Sequence, residues 1–299
     1  FGENDNNIRI LEIEFGVNVF SRGNELKISG SDEKVLLTEK ALFHLFNLSE
    51  KGRVSHDELL FVIRNLQDNR EFETDFLDKR QVIVSRSGKT IKLKNIRQIE
   101  YVKSVENNDI VFCVGPAGTG KTYLAVAMAI NALISESKQR IILTRPVVEA
   151  GESLGYLPGD MVAKINPYLR PLLDAITDML SYEEYSRYRE REQIEIAPLA
   201  YMRGRTLNNS FIILDEAQNT TVTQLKMFLT RMGPSSKMLI TGDLTQIDLP
   251  SKTPSGLEFA AKYLKMIDGI GFVKFNNSDI VRHQLVKRIL EVFEDKEKG

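Results

Sequence analysis

The sequence predicts an α/β protein, a parallel sheet covered by helices, preceded by a small α+β domain. Two observations carry that prediction. From Asp109 to Phe293, apolar strand-like runs alternate with stretches of helical spacing, the pattern of a sheet whose crossovers are helices. A glycine-rich loop, Gly115–Thr122, lies between the first of those runs and the helix after it, where such sheets bind phosphate. The 299 residues suffice for about two domains without disulfides or metals as staples.

Composition narrows the class further. Apolar residues make up 42% and charged residues 27%, proportions of a globular rather than a disordered chain. Lys and Arg number 40 against 41 Asp and Glu, so a nucleic-acid partner would have to be held by a local patch. One cysteine, Cys113, excludes an intramolecular disulfide, and three histidines leave little for zinc. No apolar run reaches the ~18 residues of a membrane span. Phe1–Asn7 carries neither a basic start nor an apolar stretch, so no signal peptide is expected. The absent initiator Met points to a trimmed start. A cytoplasmic location is the expectation.

Residues 8–66 read as the small α+β unit. Ile8, Ile10, Leu11 and Phe15 recur at nearly helical spacing and stop at Gly16, a C-cap residue. Val17–Phe20 and Glu25–Ile28 alternate as strands about Arg22-Gly23-Asn24. One helix runs from about Asp32 to Leu48 and another spans Ser55–Leu66. The expected organisation is therefore 1–66 for the small module, 67–95 for a polar linker and basic hairpin, and 96–299 for the large domain. The hairpin pairs Val82–Val84 with Thr90–Leu93 around Ser87-Gly88-Lys89. Between Lys79 and Lys103, eight basic residues face one acidic residue, Glu100. Such a cluster suits either a phosphate backbone or a sheet edge guarded by lysines. Strands of the large domain are expected at Ile110–Val114, Ile141–Thr144, Phe211–Leu214, Met238–Thr241 and Gly271–Phe275.

Gly115-Pro116-Ala117-Gly118-Thr119-Gly120-Lys121-Thr122 fits G-x-x-x-x-G-K-[ST] at every fixed position, with Tyr123 opening the helix. The glycines let backbone N–H groups wrap a phosphate, and the helix N-terminus adds a favourable dipole. Lys121 is expected on the β/γ oxygens of ATP, and the Thr122 hydroxyl on Mg²⁺. Phe211–Leu214 then runs into Asp215-Glu216: one carboxylate to order the metal shell, Asp215, and one to polarise water, Glu216. Leu239–Thr241 leads into a polar turn from which Thr241, Asp243 and Gln246 are expected to face the same crevice. Gln246 is the expected γ-phosphate sensor, and Asp243 a support for the Mg²⁺ shell.

These stretches together resemble the PhoH family of bacterial ATPases. The resemblance lies in "DIVFCVGPAGTGKTYLAVAMAI", "ILTRPVVEAGESLGYLPGDMVAKINPYLRPLLDAI", "IEIAPLAYMRGRTLNNSFIILDEAQNTT", "TGDLTQIDLP" and "SDIVRHQLV", and covers residues 95–293. It implies a RecA-like P-loop NTPase core similar to that of superfamily-one helicases. Thr241–Gln246 then corresponds to their Gly-Asp-x-x-Gln element, and Gln98 to their adenine-contacting glutamine. Residues 8–48 are similar to the family's KH-like amino-terminal module, although Gly2-Glu3-Asn4-Asp5 is only a degenerate form of the GXXG loop that clamps RNA.

Arginine beside a transferring phosphoryl group stabilises transition-state charge. The candidates are Arg145, Arg203 with Arg205, and Arg282, of which Arg282 is favoured because it follows the last strand. A surface ion pair is the competing reading of each. Ser181–Glu192 alternates charge on an exposed helix, its tyrosines packing at the helix face or stacking on bases. Cys113 reads as a small buried hydrophobe, and His283 has no partner suggesting catalysis.

The expectation is an Mg²⁺-dependent ATPase coupled to single-stranded RNA. One RecA-like core holds half of a monomeric helicase's ATP cleft, so a homo-oligomer, a hexameric ring being one form, is expected. The resemblance also implies association with a YbeY-type endoribonuclease, which leaves a nucleotide-switched adaptor as an alternative. A small-molecule kinase is a further alternative; Glu216 and Gln246 favour water as the acceptor.

Overall fold

The computed structural model describes residues 5–22, 25–50, 52–67, 81–84, 89–146 and 161–281. The chain divides into two compact units: Phe1–Arg80 with Leu93–Ile99, and Gln81–Lys92 with Glu100–Gly299.

In the first unit, α1 (Asn6–Phe15) ends where Gly16 turns left-handed, φ 64°, and donates its N–H to the Glu12 carbonyl. β1 (Asn18–Arg22) and β2 (Glu25–Ser29) pair antiparallel, with Val19 opposite Ile28. α2 (Asp32–Glu50) and α3 (His56–Gln67) follow. A reciprocal cap opens α3: the Ser55 hydroxyl accepts from Glu58 N–H, and the Glu58 carboxylate accepts from Ser55 N–H. Leu11, Phe15, Ala41, Leu45, Leu59 and Val62 are among the buried residues these helices contribute. Gly2, Glu3 and Asn4 of the degenerate GXXG tetrapeptide lie outside the described residues, as do Gly23, Asn24 and most of the linker.

In the second unit, β3 (Gln81–Ile83) and β4 (Thr90–Lys92) form the expected antiparallel hairpin. Its turn and Lys79, Arg80 and Arg86 lie outside the described residues. α4 (Ile96–Asn107) starts in the first unit and continues into the second. Next come β5 (Ile110–Val114), α5 (Lys121–Ile134), β6 (Arg140–Arg145), α6 (Met161–Met179), α7 (Tyr182–Glu190), β7 (Ile194–Pro198), β8 (Ser210–Leu214), α8 (Val222–Leu229), β9 (Lys237–Gly242), α9 (Gly256–Tyr263) and β10 (Ile270–Lys274). Among the described residues the sheet order is β10-β5-β9-β8-β6-β7, with every pair parallel.

That order explains the sequence pattern. β8 and β9 are central and buried on both faces, so they read as unbroken apolar runs. Phe112, Ile142, Ile212, Leu214, Met238 and Ile240 from the strands meet Leu225 and Phe228 of α8 and Leu257 of α9 in one core. β7 is a sixth strand, absent from the five expected. It carries Glu195 and ends in Pro198, tolerable because it is an edge strand among the described residues. On α7, Tyr188 is buried while Tyr182 is exposed, so one tyrosine packs as expected. No described helix is long and apolar enough to cross a membrane.

Candidate functional site at the carboxyl ends of the strands

β5 delivers the glycine-rich loop to the crevice where the chain order reverses, between β9 and β10. Gly115 donates its N–H to the Gly242 carbonyl at 3.1 Å. A Cβ on Gly115 would fall 2.6 Å from the carbonyl oxygen of Phe275, so glycine is required for the loop to lie this close to the end of β10. Thr119 braces the loop by donating to the Pro116 carbonyl at 3.0 Å. Gly120 caps α5, and the first N–H groups of a helix have no partner within it, which suits the α5 N-terminus to an anion.

Lys121 is buried, and its ammonium donates to the carbonyls of Gly115 (2.6 Å) and Pro116 (2.8 Å). Burial pushes its pKa below the ordinary lysine value, opposed by nearby Cys113, Asp243, Asp215 and Glu216. Thr122 donates its hydroxyl to Asp215 Oδ1 at 2.6 Å, and Thr241 donates to the same oxygen at 2.6 Å. Asp215 in turn donates its N–H to the Thr144 carbonyl at 2.9 Å, which fixes the end of β8 against β6.

Glu216 has left-handed backbone angles, φ 55° and ψ 39°, uncommon for a residue with a side chain. Its Oε1 pairs with Arg145 at 2.8 Å and its Oε2 accepts from the Gln218 amide at 2.5 Å. Gln218 is buried and accepts the Asp243 N–H at 3.0 Å. Asp243 accepts the N–H and hydroxyl of Thr245 through one oxygen and the Gln246 amide, at 3.1 Å, through the other. Gly118, Lys121, Thr122, Tyr123, Asp215, Glu216, Asp243 and Gln246 all line one cleft of about 270 Å³. Tyr123 reaches out of it to Asp178 at 2.5 Å, and its burial, with that carboxylate, raises the phenol's pKa.

The structure thus gathers the loop, Asp215, Glu216 and Gln246. Gln98 belongs to the first unit, where it is buried and accepts the Lys94 N–H at 2.6 Å. Arg282 and His283 lie outside the described residues, which extend to Val281, whose N–H donates to Gly118 O at 2.9 Å. Arg205 makes the ion pair weighed against a phosphate role, with Glu195 at 2.6 Å, and Arg203 is exposed. Arg145 sits on Glu216. Gln218 is not among the residues expected from the sequence; a glutamine two residues past the acidic pair is the signal that locates it.

A glycine-rich phosphate loop, a lysine at its end and a threonine–aspartate pair on a parallel α/β sheet define a P-loop NTPase. The family profile described as "PhoH-like protein" matches residues 90–294, and the chain belongs to that family. It is 47% identical to the PhoH-like protein of Bacillus subtilis over 295 residues, 98% of this chain and 92% of that relative. With the PhoH-like protein of Synechocystis sp. it shares 44% identity over 297 residues, 99% of this chain and 90% of the relative. Among solved structures it is similar to the large terminase from a thermophilic bacteriophage, with 14% identity and a TM-score of 0.41, over 65% of this chain and 49% of that one.

Proposed function

We propose that this P-loop NTPase hydrolyses ATP with Mg²⁺ and couples the reaction to single-stranded RNA. The observation that supports ATP hydrolysis is the convergence of Lys121, Thr122, Asp215 and Glu216 on one cleft. The donor set suits Mg²⁺, a hard ion that takes few protein oxygens and keeps waters and phosphates. Thr122 donates its hydroxyl hydrogen to Asp215 and so keeps its oxygen lone pairs for a metal, and Asp215 Oδ2 has no hydrogen-bond partner among the described residues. When bound, the ion neutralises charge on the β and γ oxygens.

The remaining chemistry belongs to the chain. The loop N–H groups and the α5 N-terminus hold the phosphates, and Lys121 exchanges loop carbonyls for phosphate oxygens. Glu216 orients a water and takes its proton as the water oxygen bonds to the γ-phosphorus. The bond from phosphorus to the bridging oxygen breaks, and ADP and phosphate leave. Gln246, which lines the cleft, monitors the γ-phosphate, and an arginine, from this chain or a neighbouring subunit of an oligomer, adds charge.

A Glu216→Gln variant tests the catalytic assignment: ATP binding should survive while turnover falls at least about 100-fold. RNA coupling is tested by ATP turnover alone, with single-stranded RNA and with single-stranded DNA across a salt series. Stimulation that weakens with salt is expected of phosphate contacts; none from either polymer would overturn the coupling. Mass measurements with and without ATP read the oligomer, and a fully active monomer would remove the need for a neighbour's arginine.

A further inference from the structure

We infer that Arg145 and Gln218 are positioning residues that fix the carboxylate plane of Glu216, and that Arg145 makes this hold depend on the placement of α6. The inference rests on the reading of Glu216 as the water-activating base. A glutamate side chain has three rotatable bonds, and Glu216 is mounted on a left-handed residue just past a strand end, so nothing in its own backbone aims the carboxylate. Two outside groups do. Arg145 ends β6, adjacent to β8 in the sheet, and donates one nitrogen to Glu216 Oε1 at 2.8 Å and another to the Tyr168 carbonyl of α6 at 2.8 Å. A planar guanidinium held at two points has little freedom left, so its fork transmits the position of α6 to the carboxylate.

Gln218 supplies the second point. Its Oε1 accepts the Asp243 N–H, which leaves only the NH₂ group to face Glu216, so the amide can stand in one orientation alone. Glu216 after β8, the turn after β9 and the end of β6 are thereby joined in one hydrogen-bonded chain. Glu216 lines the phosphate cleft, and among the described residues Arg145 reaches that cleft through its bond to Glu216, so it is assigned to act through the glutamate.

A double-mutant cycle on the full chain tests this. Steady-state ATP hydrolysis with Mg²⁺ is compared for Arg145→Gln, Glu216→Gln and the double variant, with binding of a fluorescent ATP analogue measured in parallel. Arg145→Gln should lower kcat about 10- to 100-fold, the scale of a misplaced catalytic group, with analogue affinity nearly unchanged. Arg145→Lys should recover part of the loss, since it restores the charge without the fork. The double variant should be no slower than Glu216→Gln, because a residue acting through another has nothing left to act on. Wild-type kcat in Arg145→Gln, or a further loss in the double variant, would overturn the inference. Full activity in Glu216→Gln would instead remove the base assignment, a distinguishable failure. Should Arg145→Gln fold poorly, Gln218→Asn, which withdraws the amide by one methylene, enters the same cycle with the same expected pattern.

Discussion

Thr241 donates its hydroxyl to the Asp215 oxygen that also accepts Thr122. Thr241 is fully buried on β9, the strand between the one that carries the phosphate loop and the one that carries the acidic pair. The two hydroxyls approach from different elements and hold Asp215 in one rotamer. If Asp215 orders Mg²⁺ as proposed, supports of this kind around a metal ligand commonly matter about 10- to 100-fold in metal affinity or activity. Thr241→Val keeps the shape and removes the donor. A magnesium titration of phosphate release should show half-saturation moved up about 10-fold, with maximal turnover less affected. An unmoved titration would leave Thr241 as packing alone.

Gly242 follows from a close approach. A Cβ there would lie 2.5 Å from Leu257 Cδ2 and 2.7 Å from Gln218 Oε1. Leucine can yield, but the Gln218 oxygen is committed to the Asp243 N–H and its amide to Glu216. Gly242→Ala therefore strains the core and the acidic pair together. Urea unfolding should show a loss of about 1–3 kcal/mol, the usual cost of overpacking. Turnover should fall by more than this loss of folded protein explains, and a stable variant with normal kcat would contradict the reading.

What could be read in the chain, and what could not, follows from range. The phosphate loop is legible because its chemistry is local: glycines, a lysine and a threonine within eight residues, set between an apolar run and a helix. Asp215 and Glu216 are legible because a central strand is an unbroken apolar run and its end is therefore sharp. β7 is not, since an edge strand with Glu195 and Pro198 lacks that signature. The pairing of Arg145 with Glu216 spans 71 residues and exists only because β6 and β8 are neighbours, a fact of sheet order rather than of spacing. Gln246 lines the cleft as expected, yet its amide is bonded within its own turn to Asp243, a local competition typical of aspartate in turns.

Lys121 is held by backbone carbonyls among three carboxylates that raise its pKa against burial. Removing the ammonium leaves the loop's shape to its glycines and to Thr119, so Lys121→Ala should fold while losing charge stabilisation at the phosphates. Phosphate release should fall at least about 100-fold, the scale of one lost donor to developing charge. Retained turnover would move the phosphate-binding assignment away from this lysine.

Cys113 gives a pH dependence with a definite sign. It is fully buried in β5, and burial pushes its thiol pKa up, only partly offset by Lys121 and Tyr101. In the unfolded chain the thiol ionises near its ordinary value of ~8.5. Above that pH the unfolded state releases a proton that the folded state keeps, so stability must fall as pH rises, at up to ~1.4 kcal/mol per unit. Tyr101, also buried and also raised, adds a loss of the same sign above ~10. Urea midpoints measured from pH 7 to 10 should therefore decline above about 8.5, and Cys113→Ala should flatten the decline up to about 10. Native protein should leave the thiol unmodified by a disulfide reagent until urea unfolds it, because a protonated, buried sulfur is a poor nucleophile. Rapid labelling of the native protein, or a decline unchanged in Cys113→Ala, would show that the thiol ionises in the folded state or that another group sets the alkaline limit.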